Sequence, residues 1–310
     1  TGWTILTSIC IIGCVTLLYT VLGGLKAVIR VDAFQFIIYL LSAFICIYFL
    51  LDSLNHTFLE TIGIINDFEK GKILNFTGSI FTTPFMFFSA FIGGTMLSFA
   101  SHGADYMMVQ RVLAITNIKS ARKAMIGSGI FVIIQFSLFL FIGSLIYLIS
   151  DCILLEKDRE ISYVINNILP IGFRGFVIAG VLSAAMSTLS SSINSLASSS
   201  LNDWFPKYKS LKSARIVASF WTLLLIVTAF IFNESDNSLI IIGLKIASFT
   251  YGSLLSFFIL SKFNKKIHEH YIYIGYLSGI LTVFYFMKYG IAWTFYISGG
   301  LLVNLVVCFF

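Results

Sequence analysis

Charge is scarce in this sequence. Of its 310 residues, 11% are Asp, Glu, Lys or Arg, where a soluble domain carries about 25%. That leaves too little polar surface to cover a globule of this length. The five cysteines, Cys10, Cys14, Cys46, Cys152 and Cys308, show no paired metal spacing. All but Cys152 lie in apolar runs and read as buried free thiols. No signal peptide is visible at the start, and there is no low-complexity stretch. A net charge of +6 is too modest to point to nucleic acid. Reactive clusters of the kind a membrane enzyme needs are also lacking. Of the histidines His56, His102, His268 and His270, the last two flank Glu269 in a lysine-rich stretch that reads as a solvated turn.

What is abundant is apolar. Hydrophobic residues make up 58% of the chain, 32 residues are Phe, and the mean hydropathy is +0.95. The bilayer is the natural solvent for such a composition, and a spanning helix needs about 20 mostly apolar residues. The segments that reach or approach this are Trp3–Leu22, Val31–Leu51, Gly78–Ser101, Met125–Ser150, Gly175–Asn202, Ala214–Phe232, Ser238–Ser261, Tyr271–Met287 and Ile291–Phe310. The expected fold class is all-α integral membrane, with about nine transmembrane helices. Thr61–Ile65, in the long connection after the second segment, reads as a short interfacial helix.

The charges sort by side. Alternate connections place Lys26, Arg30, Arg111, Lys119, Arg122, Lys123, Lys207, Lys209, Lys212, Arg215, Lys262, Lys265 and Lys266 on one face. Asp52, Glu60, Asp67, Glu69, Asp151, Glu156, Asp158, Glu160, Glu234 and Asp236 fall on the other. Basic loops are retained in the cytoplasm, so the first residue is expected outside and the last at the cytoplasmic face of a cell (plasma or inner) membrane. Thr1 is not Met, and Leu301–Phe310 is still apolar. Both ends read as cut from a longer protein.

The fifth segment is unusual. In Gly180-Val-Leu-Ser-Ala-Ala-Met-Ser-Thr-Leu-Ser-Ser-Ser-Ile-Asn-Ser195, the residues Ala184, Ser187, Thr188 and Ser191 share one helical face. Two adjacent hydroxyls, with a backbone carbonyl one turn earlier, offer the uncharged oxygens that a hard cation takes. Close packing between helices is the other reading of the same small residues.

Four stretches resemble the sodium–solute symporter family. The first is the Ala-Ala-Met-Ser-Thr-Leu-Ser-Ser-Ser-Ile-Asn-Ser run followed by Asp203. The second is Gly23-Gly24-Leu-Lys-Ala-Val-Ile-Arg-Val-Asp32-Ala-Phe-Gln35. The third is Gly103-Ala-Asp-Tyr-Met-Met-Val-Gln-Arg111-Val-Leu, where Tyr106 departs from the family's usual Gln. The fourth is Lys245-Ile-Ala-Ser-Phe-Thr-Tyr-Gly252-Ser-Leu-Leu. Together they span essentially the whole chain.

The resemblance implies a partial bundle of the LeuT type, built from inverted five-helix repeats. Residues 1–52 match the end of the first repeat, 78–262 the second repeat, and 271–310 peripheral helices. It implies a member truncated at its N-terminus, without the first core helices. By position it implies Na+ binding at Ala184, Ser187 and Thr188, with Asp32 in the sodium pathway. Read from the residues alone, Asp32 is equally a helix cap or a partner of Arg30. The third segment is expected to carry substrate contacts. Its Gly93-Gly94 pair allows a local break, and Thr95, Ser98, Ser101 and His102, with Gln135 from the next segment, are candidates. His102 reads equally as a packing residue. The implied function is Na+-coupled uptake of a small organic solute by alternating access, with no cofactor beyond the coupling ion. The alternatives are a transporter-fold sensor and a symporter driven by another cation. The partners are the solute, Na+ and the lipid bilayer; the oligomeric state is left open.

Overall fold

The computed structural model describes residues 4–67, 72, 74–150, 155, 158–231, 239–263 and 267–309. Glu69, Asp151, Cys152, Glu156, Glu234, Asp236, Lys265 and Lys266 lie outside them. Among the described residues every regular element is helical. In chain order these are α1 (Ile5–Leu54), α2 (Phe58–Asp67), α3 (Phe87–Gly103), α4 (Tyr106–Leu113), α5 (Ile118–Ile149), α6 (Glu160–Tyr163), α7 (Ile171–Ser199), α8 (Leu211–Ile231), α9 (Leu239–Leu260), α10 (Glu269–Lys288) and α11 (Tyr296–Phe309). Six of them (α1, α5, α7, α8, α9 and α10) carry an apolar window long enough to cross a bilayer; α3 and α11 are shorter. Large apolar side chains such as Phe34, Tyr48, Leu140, Phe220 and Leu281 remain more than half exposed. Such faces suit lipid, which fits an integral membrane protein.

The first two apolar segments form one interrupted helix. Gly23 to Arg30, expected as a connection, is helical except at Gly24, which sits at φ 61°, ψ −171°. Only glycine enters that region without strain, so the chain bends there and the second half begins directly afterwards. Thr4 caps the start of α1, its Oγ1 accepting from the Thr7 N–H at 3.2 Å. Asn55, at φ 54°, ends it with its N–H on the Asp52 carbonyl. The expected interfacial helix is α2. It opens with a capping box: Glu60 accepts from the Thr57 N–H at 2.8 Å, and Thr57 Oγ1 accepts from the Glu60 N–H at 3.3 Å.

The third apolar segment becomes helical only at Phe87. Gly78, at φ 106°, starts a turn, and the Ser89 hydroxyl closes back onto the Ile80 carbonyl. The anticipated break at Gly93-Gly94 does not occur, and α3 runs through it. Gly93 serves close packing instead: a Cβ there would meet Thr294 Cβ at 2.5 Å.

The chain forms two compact units. Thr1–Ile65 and Ile130–Asp236 make one; Asn66–Gly129 and Asn237–Phe310 make the other. In the first unit, α1, α5 and α7 close around Ala43, Cys46, Leu50, Ile142, Leu145, Ile146 and Val177. Ile193 and Ala197 of α7 meet Ala218 of α8 in a second cluster. Small residues let α1 and α7 approach closely. The position where Gly180 would carry a Cβ is filled by the Ser42 side chain, whose hydroxyl lies 2.8 Å from the Ile38 carbonyl and 3.3 Å from the Phe176 carbonyl. In the second unit, Ala100, Leu255, Ile297 and Leu301 form the core of α3, α9 and α11.

Candidate functional site

On the hydroxyl-rich face of α7 the side chains bond back to carbonyls of their own helix, as mid-helix serine and threonine do. Thr188 Oγ1 donates to the Ala184 carbonyl at 3.1 Å. Ser192 Oγ donates to the Thr188 carbonyl at 3.0 Å. The Ser187 carbonyl lies 3.0 Å from Ser190 Oγ and 2.8 Å from Ser191 Oγ. The expected ion ligands Ala184, Ser187 and Thr188 therefore sit on one stretch of α7, with two of their oxygens already in contact. Ala184 and Ser187 are half-buried and Thr188 is exposed.

Asp32, in the second half of α1, is buried at 7% exposure. Its Oδ1 is 3.2 Å from Ser190 Oγ and its Oδ2 is 3.2 Å from Ser191 Oγ. Each hydroxyl thus has two acceptors in reach, the carboxylate and the Ser187 carbonyl, and one proton to give. Asp32 is thus tied to α7. One turn further on, Gln35 is 8% exposed, and its buried Oε1 has no hydrogen-bond partner. In the first half of α1, the Tyr19 hydroxyl donates to the Met186 carbonyl at 3.0 Å, beside the same stretch. Spacing placed Ser191 on the face of Ser187, but nothing in the sequence shows that Ser190 and Ser191 meet a carboxylate from α1. Gln35 stood in a quoted motif with no role attached.

The expected substrate contacts do not form one group. On α3, Thr95 Oγ1 donates to the Phe91 carbonyl at 2.7 Å and Ser101 Oγ to the Ser98 carbonyl at 3.2 Å. His102 Nδ1 is 3.0 Å from Ser101 Oγ and 3.1 Å from the Ser98 carbonyl, and its Nε2 is 3.4 Å from Ser128 Oγ on α5. His102 therefore bridges two helices of the second unit. Gln135 belongs to the first unit, where its Nε2 donates to the Tyr39 hydroxyl at 3.0 Å. Asp105 caps α4 by accepting from the Met107 N–H at 2.8 Å, and its Oδ2 accepts from the Tyr251 hydroxyl at 2.5 Å. Among the described residues, no three His, Cys, Asp or Glu side chains gather as they would around a metal ion. The oxygen-rich face around Ser187 suits a hard monovalent cation by its chemistry: carbonyls and hydroxyls, with one carboxylate nearby.

Known proteins are similar to this chain in sequence and in fold. The sequence model of the sodium:solute symporter family matches residues 1–282. A putative sodium-dependent multivitamin transporter of Drosophila melanogaster is 28% identical over 309 residues, covering 91% of this chain and 49% of that protein. The sodium/sialic acid symporter NanT of Aliivibrio fischeri is 25% identical over 298 residues, covering 88% of this chain and 57% of that protein. The human sodium/iodide cotransporter is 28% identical, covering 85% of this chain and 43% of that protein. This chain thus spans about half the length of such relatives, which are transporters and not enzymes. Among solved structures, a Na+-coupled sialic acid symporter in a substrate-bound outward-open state superposes with a TM-score of 0.81 at 21% identity. It covers 99% of this chain and 66% of that one, so the two share a fold.

Proposed function

Because this chain belongs to the sodium:solute symporter family, we propose that it serves secondary active transport, coupling Na+ entry to uptake of a small organic solute by alternating access. The ion binds at the Ala184 carbonyl and the Ser187 and Thr188 hydroxyls, and Asp32 stands on its path. The observation that carries this is the oxygen cluster on α7: Thr188 Oγ1 lies 3.1 Å from the Ala184 carbonyl, and the buried Asp32 carboxylate is held against Ser190 and Ser191 in the next turn.

Burying a carboxylate is costly unless charge or hydrogen bonds compensate it. Ser190 and Ser191 supply part of that compensation to Asp32, and a cation near Ser187 adds to it. Coupling follows when ion and solute both favour one conformation, because each then tightens the other. In this reading 1–52 end a first repeat, 78–262 form the second, and 271–310 are peripheral. The basic connections face the cytoplasm of a cell membrane, with the first residue outside and the last inside. Thr95, Ser98, Ser101, His102 and Gln135 are the side chains to test for solute contact. The ion is the only cofactor the reading needs.

The test uses the full-length gene product in sealed proteoliposomes. Uptake of a panel of labelled vitamins, sialic acids, sugars and carboxylates is measured with and without an inward Na+ gradient, beside a Ser187→Ala/Thr188→Ala variant. Na+-dependent uptake in the parent, with a weaker Na+ requirement curve or none in the variant, is the expected result. Uptake that runs equally well in K+, follows a proton gradient, or keeps its Na+ dependence in the variant rejects the assignment.

A further inference from the structure

Residues 200–217, the connection from α7 and the first turns of α8, combine three features that no part of the transport reading uses. The first is exposed aromatic and apolar surface: Trp204 is 69% exposed, Tyr208 68% and Leu211 69%. The second is a cavity of about 200 Å³ between these residues and α8, lined by Leu201, Phe205, Tyr208, Ser213, Ile216 and Val217. The third is charge of one sign interleaved in the sequence with the lining residues. Lys207, Lys209, Lys212 and Arg215 are all exposed. The acid in the segment, Asp203, has its Oδ2 occupied by the Ser199 hydroxyl at 2.7 Å. Lys212 and Arg215 are three residues apart on α8 and share a face. The start of the connection is tied to α8: Trp221 Nε1 donates to Ser200 Oγ at 2.9 Å, and Ser200 Oγ lies 2.8 Å from the Leu196 carbonyl.

We propose that this groove is a binding site for an anionic phospholipid. The phosphate and headgroup rest among Lys207, Lys209, Lys212 and Arg215, and the upper acyl chain enters the apolar cavity. Aromatic side chains such as Trp204 and Tyr208 belong at headgroup depth in a bilayer. Clustered Lys and Arg beside a span attract anionic lipid, each contributing near the surface. The lining is mostly apolar, which suits an acyl chain better than a soluble anion, and the four neighbouring basic residues favour an anionic over a zwitterionic lipid. A lipid held here braces the C-terminal end of α7, the helix that carries Ser187 and Thr188.

The experiment counts bound lipid and needs no transport. The full-length gene product in detergent is mixed with equal phosphatidylglycerol and phosphatidylcholine, and retained lipids are counted by native mass spectrometry. Preferential retention of phosphatidylglycerol is expected. A Lys207→Gln/Lys209→Gln/Lys212→Gln/Arg215→Gln variant should lower it by roughly tenfold. A Lys119→Gln/Arg122→Gln/Lys123→Gln variant, removing three charges elsewhere, should leave most of it. Retention without headgroup preference overturns the proposal, as does an equal loss in both variants, which marks general surface attraction. A Phe205→Ala variant, which opens the cavity without touching charge, should lower retention too; unchanged retention there removes the acyl-chain part.

Discussion

The Ser191 hydroxyl lies 3.2 Å from Asp32 Oδ2, joining residues 159 positions apart in the sequence. It fixes the second half of α1 against α7 beside the stretch that holds Ser187. Residues in one hydrogen-bond network show coupling energies of about 0.5–3 kcal/mol. Ser191→Ala, Asp32→Asn and the double variant, compared by unfolding free energy in detergent, should give a coupling in that range. Strictly additive effects would mean that the contact is not formed in the folded protein.

The adjacent glycines of α3 should behave oppositely. A Cβ at Gly93 meets Thr294 Cβ at 2.5 Å and its Cα at 2.8 Å, whereas at Gly94 nothing lies within 4 Å. Gly93→Ala forces the two elements apart and should cost about 1–3 kcal/mol. Gly94→Ala removes a flexible residue from a helix interior and should gain about 0.5–1 kcal/mol. Thermal unfolding should rank Gly94→Ala above the parent and Gly93→Ala below it. The reverse order would contradict the packing of α3.

Tyr251→Phe tests the link between α9 and the start of α4. The lost bond is to a carboxylate, so the expected destabilisation is about 1.5–3 kcal/mol. It should be accompanied by faster amide exchange at Met107, whose N–H is held by the same Asp105. Unchanged exchange and stability would remove Asp105 from its bridging role.

Glu60, in the first turn of α2, offers a titration. The backbone N–H and hydroxyl of Thr57 hold its carboxyl below the usual carboxylate range. A depressed folded value means that the cap stabilises α2 above the ordinary carboxylate pKa and is lost as pH falls through the lowered one. A ¹³C-detected titration should therefore show Glu60 ionising below other exposed glutamates. Thr57→Ala, which removes the hydroxyl but keeps the backbone N–H, should bring it part of the way back, and an unshifted parent value would discount the capping box.

The sequence reading and the structure part company at identifiable places. Apolar length located the helices because lipid demands it, and the hydroxyl spacing on α7 was visible because 3.6-residue periodicity is a local property. The partners of Asp32 were not visible. They come from a helix more than 150 positions away, and no local pattern encodes that approach. The Gly93-Gly94 pair misled for a related reason: glycine signals either freedom or a close neighbour, and the neighbour, Thr294, is distant in sequence. His102 reads from the sequence as a candidate substrate contact, while its ring nitrogens lie beside Ser98, Ser101 and Ser128.

Gly24 separates two lengths of α1 that have different attachments: Tyr19 reaches the Met186 carbonyl from one side, and Asp32 reaches Ser190 and Ser191 from the other. No atom lies within 4 Å of where a side chain at Gly24 would begin, so space does not restrict that position; its φ of +61° does. The angle between the two lengths is thus governed by a single pair of torsions at an uncrowded point. An alanine there fits sterically yet strains the backbone, which makes residue 24 an articulation that can be stiffened without disturbing anything it touches.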